Sequence, residues 1–244
     1  MFLPVTEAGL VPVTPQGQPV YLAEPAGDIV VTAGSIHAFL VGTESAERLG
    51  TLHDATFFNG QRDILKALHL IRNRREARFD PRTGRELSYP APGAVGHDGE
   101  RLVFPRLDPA VIGIIRHPET DRILLARNRH RSGFFSLIAG YVDPGETLEE
   151  AMVREALEET GRRVESVTYW GSQPWPPSGS LMVGFSAVTE DVRPVCDTDG
   201  ELAEVRWVSR AELPELTIAR KGSIARTMIM EWFHGDETGS VPAR

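Results

Sequence analysis

Residues Gly140 to Gly161 read GYVDPGETLEEAMVREALEETG, and they constrain this chain more than any other stretch. Thr147, followed three residues later by Glu150, is a capping-box start, and Gly161 suits a left-handed helix end. Between them lie about three to four turns of good helix formers, with no internal Gly or Pro. At roughly 100° per residue, Leu148, Met152, Glu155 and Glu159 share one stripe, each within about 40° of Leu148. The spacing therefore predicts an amphipathic helix whose core-facing side runs into two carboxylates. A buried charge needs a partner, and clustered carboxylate oxygens suit a hard divalent cation such as Mg²⁺ or Mn²⁺. A solvated acidic helix, with Arg154 as its internal ion-pair partner, would account for the charge run alone. It leaves the fixed spacing unexplained. Gly140 is followed after five residues by Glu146, and after seven more by Arg154-Glu155, then Glu158-Glu159 and Gly161.

A chain of 244 residues allows one large domain or two modest ones, and 41% hydrophobic content suffices for a packed core. No apolar run approaches the ~18 to 20 residues needed to span a bilayer. The opening MFLPVTEAGL lacks the basic region and long apolar segment of a signal peptide. Cys196 is the single cysteine, so an intrachain disulfide is excluded and a cytoplasmic setting is expected. The net charge of −8 argues against a broad nucleic-acid surface, although it leaves room for a local basic patch.

Residues 1–75 read as a small α/β domain. Short β-rich runs (LVPVT, PVYL, DIVVT, IHAFLVG) are separated by Gly, Pro and Asp turns. A helix follows from about Gly60 to Arg75, with Ile64, Leu65, Leu68 and Ile71 at helical spacing. Residues 76–103, rich in Pro, Gly and charge, read as a connector. Residues 104–244 form the strand-rich catalytic region. VIGIIR and RILLAR flank the turn HPETD, FFSLIAGY leads into the glutamate helix, and SVTYWGS, LMVGFSAV and VRWVS read as further strands. A closing helix is predicted over residues 219–234.

The Gly140–Gly161 spacing resembles the Nudix box, G-x5-E-x7-R-E-U-x-E-E-x-G-U. One position departs: the final aliphatic U is Arg162, with Val164 the nearest substitute. Downstream, SQPWPPSGSLM (172–182) resembles the SQPWPFPxS motif of the NADH pyrophosphatases within that superfamily. FPRLDPAVI (104–112) and GSIARTMI (222–229) resemble two further motifs of the same group. The resemblance covers about Phe104 to Trp232. It implies a C-terminal Nudix fold, an α/β/α sandwich with a mixed sheet, preceded by the small α/β N-terminal domain. Pro177 and Ser178 depart from the Phe-Pro of the loop motif. Many members also carry a four-cysteine zinc ribbon in the connector. Here Asp80 and Thr83 stand at the first cysteine pair, and by count Gly96 and Gly99 replace the second, so no structural zinc is expected. The connector must then hold its shape through hydrogen bonds and packing, or remain mobile.

The resemblance implies metal-dependent hydrolysis of the pyrophosphate of NAD(H) to NMN(H) and AMP, and action on NAD-capped RNA 5′ ends. Mg²⁺ or Mn²⁺ would be held by Glu155, Glu159 and the backbone carbonyl of Ala139, with Glu158 sharing a second ion. Glu201 would hold metal or orient the water, with Glu204 as its competitor. Glu155, Glu158, Glu159 and Glu201 are thus the expected catalytic residues. Arg154 would orient the carboxylates and Glu146 would brace the loop before the helix. Phe104 and Tyr141 would stack on the nicotinamide, Phe104 coming from the partner subunit of a homodimer. Gln173, Trp175 and Ser180 would line the pocket, and Ala225 would add a backbone contact. Two other readings keep their place: hydrolysis of ADP-ribose or another nucleoside diphosphate derivative, and a non-catalytic regulator that binds a dinucleotide.

Overall fold

A computed structural model of the chain describes residues 1–90, 92–130 and 133–235. The chain divides into two compact units. The first is Met1–Leu107 with Pro174–Ser180, and the second is Asp108–Gln173 with the described part of Leu181–Arg244.

In the first unit the elements run β1 (Phe2–Thr6), β2 (Val11–Val13), β3 (Val30–Ala33), β4 (Ile36–Val41), α1 (Thr43–Glu47), β5 (Thr51–His53), α2 (Arg62–Glu76), β6 (Gly96–His97) and β7 (Leu102–Val103). The main sheet has the order β1-β4-β3. β3 and β4 form an antiparallel hairpin whose turn passes Gly34 at φ +61. Asp63, in the first turn of α2, accepts from Ser35 N at 2.9 Å and Ser35 Oγ at 2.6 Å, which pins that turn to the helix. The expected helical face is buried: Ile64, Leu65, Leu68 and Ile71 pack in one cluster with Leu3, Val5, Val31 and Ala33. β1 pairs parallel with β4, from Phe2↔His37 to Thr6↔Val41. That strand was not read from the sequence, nor were α1 and β5. PVYL (19–22) is not a strand; only the isolated bridges Val13↔Pro19 and Phe2↔Leu22 pass through it. Pro19, which has no N–H, cannot carry a ladder there.

The connector is held by two carboxylates that take up backbone N–H groups. Asp80, 1% exposed, accepts from Arg82 N at 2.6 Å and Thr83 N at 3.2 Å through Oδ1. Asp98 accepts from Glu100 N at 3.0 Å and Arg101 N at 2.8 Å. The two turns are joined by Thr83 Oγ1, which donates to Asp98 Oδ2 at 3.0 Å. Asp80 Oδ2 makes no hydrogen bond among the described residues and faces Arg101 Nε at 3.9 Å. The hydrogen bonds from the Glu100 and Arg101 backbone hold the Asp98 carboxyl below its usual range. Of the two outcomes left open by the sequence, hydrogen bonding holds this stretch.

The second unit contains β8 (Asp108–His117), β9 (Arg122–Asn128), β10 (Ile138–Tyr141), α3 (Leu148–Thr160), β11 (Glu165–Trp175), β12 (Ser180–Val188), β13 (Leu202–Ser209), a 3-10 turn at Leu213–Glu215 and α4 (Ile224–His234). The sheet order is β11-β12-β8-β9-β13, with β10 pairing antiparallel to β8. Side chains of β8 and β9 alternate between two cores, as the period of a strand requires. Ile112, Ile114, Ile123 and Leu125 pack with Ile224, Met228 and Trp232 of α4. Val111, Ile115, Leu124 and Ala126 pack with Ala151, Met152 and Ala156 of α3. Both faces are covered, so β8 reads as a nearly continuous apolar run.

Two boundaries differ from expectation. FFSLIAGY enters a regular strand only at Ile138. The closing helix starts at Ile224, five residues later than predicted. Gly222 sits at φ +88, and Ser223 caps the helix by accepting from Arg226 N. The expected catalytic region runs to residue 244, of which 236–244 lie outside the described residues. No helix among the described residues is long and apolar enough to cross a membrane.

Asp80→Ala leaves the N–H groups of Arg82 and Thr83 without their acceptor. It should destabilise the first unit by about 1–3 kcal/mol and speed amide exchange at those two residues. Unchanged exchange there in the variant would remove the turn-holding role given to Asp80.

Candidate active site

The site grows from the N-terminus of α3. Thr147 accepts from Glu150 N at 3.2 Å while Glu150 accepts from Thr147 N at 2.8 Å, completing the capping box. Gly161 ends the helix in the left-handed region at φ 66. With both ends set by local chemistry, the phase of the helix is fixed. Met152 is fully buried, and Glu159 is 5% exposed on the same stripe.

Arg154 gathers the acidic groups around it. Its Nε and Nη2 donate to the two Glu146 oxygens at 2.6 and 3.0 Å. Nη1 donates to Glu155 Oε1 and Glu158 Oε2, both at 2.9 Å, and Nη2 also donates to the Tyr141 carbonyl at 2.9 Å. Glu146 further accepts from Asp143 N at 3.0 Å, which closes the loop before the helix. The Arg154 hydrogen bonds, then that of the Asp143 backbone, hold the Glu146 carboxyl below its usual range. The same carboxylates, Glu146 first, raise Arg154.

Glu155 reaches β10 through a gap left by Gly140. A Cβ on Gly140 would lie 2.0 Å from the Glu155 carboxyl carbon and Oε1. Burial pushes the Glu155 carboxyl up, with Arg154 opposing. One turn on, burial pushes Glu159 up to about 8, and the charges of Glu155, Glu201 and Asp199 add to it. A hydrogen bond from the Ala139 backbone N–H opposes the rise, yet among the described residues Glu159 Oε2 has no partner. Burial of that kind is costly unless something positive compensates it.

The segment before β13 completes the acidic group. Glu201 is exposed and accepts from Asn128 Nδ2 at 3.1 Å, while Glu201 N donates to Asp199 Oδ1 at 2.9 Å. Glu204, its competitor, is paired with Arg127 and so has its charge taken up. Asp199 was missed in the sequence, where DTDGELAE offered it only as one acid among several. Its signal was its place two residues before Glu201.

A NUDIX domain model matches residues 106–230. The chain belongs to the Nudix family. Over 129 residues it is 43% identical to the NAD-capped RNA hydrolase NudC of Photobacterium profundum, covering 52% of this chain and 47% of that protein. Over 151 residues it is 40% identical to the NAD-capped RNA hydrolase of Schizosaccharomyces pombe, covering 56% and 40%. The chain thus matches about half the length of its curated relatives, or less. The crystal structure of a NUDIX hydrolase from Nitrosomonas europaea aligns over 64% of this chain and 90% of that one, with a TM-score of 0.50 and 21% identity. That likeness shows the Nudix fold.

Nudix hydrolases generally use divalent metals. Among the described residues, no three His, Cys, Asp or Glu side chains converge closely enough to hold an ion as they stand. Arg154 engages two of the expected ligands, Glu155 and Glu158. Two observations nevertheless fit a cation: the buried Glu159 Oε2 without a partner, and the glycine gap that admits the Glu155 carboxylate. Oxygen donors of this kind suit a hard divalent ion.

The expected substrate contacts are placed as follows. Tyr141 is 52% exposed at the end of β10, beside the acidic group in sequence. Gln173 is buried, and its amide bridges the Gly222 carbonyl at 2.7 Å and the Ile224 N–H at 2.6 Å, which ties β11 to the start of α4. Ala225 is buried one residue further on. Phe104, 66% exposed, the half-buried Trp175 and the fully buried Ser180 belong to the first unit. Ser180 Oγ lies 2.8 Å from Ser178 Oγ.

Glu159→Gln removes the uncompensated carboxylate. The metal-free variant should melt higher than wild type, and it should lose most of the stabilisation that added Mn²⁺ gives wild type. For an ion at 100 times its Kd that stabilisation is about 2.7 kcal/mol. Equal Mn²⁺ stabilisation of both proteins would contradict the fit of Glu159 to a cation.

Proposed function

We propose that this chain hydrolyses the pyrophosphate bond of NAD(H) to NMN(H) and AMP, and that it accepts NAD-capped RNA 5′ ends. The observation that carries the reading is the carboxylate pair of α3: Glu155, seated against Gly140, and Glu159, whose buried Oε2 has no hydrogen-bond partner among the described residues. The SQPWPPSGS segment and the relatives named NAD-capped RNA hydrolase supply the substrate class. In the reaction a water oxygen bonds to one phosphorus, the anhydride P–O bond breaks, and the bridging oxygen leaves with the other phosphate.

Mg²⁺ or Mn²⁺ would be held by Glu155, Glu159 and the Ala139 carbonyl, with Glu158 and Glu201. When bound it would neutralise the phosphates and lower the pKa of a water. Arg154 holds Glu155 and Glu158 in place by charge-assisted hydrogen bonds. Glu201, which accepts from Asn128 whereas Glu204 is paired with Arg127, is the better placed of the two candidates to orient the attacking water. Tyr141 and Phe104 offer faces for the nicotinamide, Trp175 and Ser180 serve the substrate loop, and Gln173 on β11 and Ala225 on α4 add substrate contacts. The protein acts as a homodimer in which each copy lends Phe104 to its partner, an isologous arrangement. It works in the cytoplasm, and its connector holds no structural zinc.

A screen for release of AMP or the matching nucleotide product from NADH, NAD, ADP-ribose, dinucleoside polyphosphates and NAD-capped RNA, with Mg²⁺ or Mn²⁺, tests the substrate. Release from ADP-ribose alone would move the assignment to that substrate, and no release from any would favour a dinucleotide-binding regulator. Glu159→Gln should lower kcat by at least ~100-fold with the fold intact.

Phe104→Ala should raise KM for NADH through the loss of about 1–3 kcal/mol of stacking. Mixing it with Glu159→Gln subunits should restore sites carrying both wild-type residues. A strictly monomeric, fully active protein would end the shared-site proposal and leave the hydrolase reading standing. One tightly held zinc per chain, by elemental analysis, would overturn the zinc-free connector.

A further inference from the structure

Arg162 occupies the box position that is usually aliphatic, and the structure gives it unusual work for a buried arginine. It is 6% exposed and donates to three backbone carbonyls: Thr160 at 2.8 Å, Asp191 at 3.1 Å and Val192 at 3.1 Å. Its guanidinium lies 6.0 Å from the Trp207 ring centre, and Trp207 Nε1 donates to the same Val192 carbonyl at 3.0 Å. Val164, two residues on, fills the apolar place instead, at 6% exposed within the α3 core. The aliphatic requirement is thus met by a neighbour, and position 162 is released for another task.

The segment that Arg162 grips runs from Asp191 to Glu201. Residues 192–199 are exposed, so apolar burial contributes little to holding it. Polar ties do so instead. Arg163 donates to the Asp191 carboxylate from its backbone N, Nε and Nη2 at 3.0, 3.0 and 2.9 Å. Val195 N donates to the Gly161 carbonyl at 2.7 Å, and Asp199 N to the Glu158 carbonyl at 2.9 Å. The far end of the segment carries Asp199, tied through its backbone N to the residue before Glu159, and Glu201, whose N donates to Asp199 Oδ1 at 2.9 Å.

We propose that Arg162 is a positioning residue: it clamps the 191–201 segment to the end of α3 and so sets Asp199 and Glu201 against Glu159. The inference rests on the cation-site reading above. Arg162 does not itself touch the ion or substrate. Its three carbonyl partners make it a hub that an aliphatic residue cannot replace, because leucine would take the Arg162 donors from the Thr160 and Asp191 carbonyls and leave that of Val192 to Trp207.

The test is Mn²⁺ binding to the full chain by calorimetry, with MnCl₂ as the probe, beside NADH kinetics. Arg162→Leu should weaken Mn²⁺ binding by about tenfold, as loss of an outer-shell support commonly does. It should raise the Mn²⁺ concentration for half-maximal turnover by a similar factor, with KM for NADH at saturating Mn²⁺ unchanged. In an Asp199→Asn, Glu201→Gln background the same substitution should have no further effect on Mn²⁺ affinity. Arg162→Lys, which keeps a donor, should fall between wild type and leucine. If the leucine variant fails to fold, the lysine variant in both backgrounds decides. Wild-type Mn²⁺ affinity in a folded position-162 variant, or an equal loss in both backgrounds, would overturn the proposal. Wild-type protein that binds no Mn²⁺ overturns the cation-site reading itself, and this inference with it.

Discussion

One guanidinium organises the acidic end of this molecule. Glu146, Glu155 and Glu158 would repel one another, and Arg154 meets all three together with the Tyr141 carbonyl. That fan fixes the loop before α3, the strand beneath it and the exposed side of the helix in one arrangement. Charge-assisted hydrogen bonds of this density are geometrically specific as well as strong. Glu159 lies beyond the reach of the fan, and its carboxylate is the part of the group left for something else to satisfy. The division of labour follows from the helix: positions 154 and 158 lie one turn apart on the open side, and 155 and 159 one turn apart on the core side.

What could be read from the chain beforehand was what is decided locally. The capping box at Thr147, the left-handed Gly161 and the buried stripe through Met152 all follow from neighbours within one or two turns, and all were legible. The apolar runs of β8 and β9, and the face of α2, were legible for the same reason. The parallel pairing of β1 with β4 was not, since the partners of Phe2–Thr6 lie 35 residues away and proline interrupts the strand pattern. The start of α4 was misplaced because Ala219 to Lys221 have helical composition, while the decision is made by Gly222 and the Ser223 cap. Asp199 was hidden because an acid in a polar loop looks like any other until the fold sets it beside Glu159.

The connector and Arg162 carry the same lesson. At Asp80 and Asp98 a carboxylate takes two backbone N–H groups, which a turn needs whatever the chemistry of its acceptor. At Arg162 a departure from the box pattern is made good by Val164 close by, and the departing residue acquires carbonyl partners of its own. Motif positions are satisfied by the fold as a set rather than one by one.

Gly140 has a consequence for how variation at this site is to be interpreted. The volume that a methyl group would occupy is filled by the carboxylate of Glu155. Any larger residue there evicts a charge from its seat, and packing and chemistry fail in the same event. A survey of thermal tolerance and a survey of catalytic tolerance would therefore both condemn position 140, and neither could tell which cause it had detected. At this position the carboxylate proposed to hold metal is itself part of the interior.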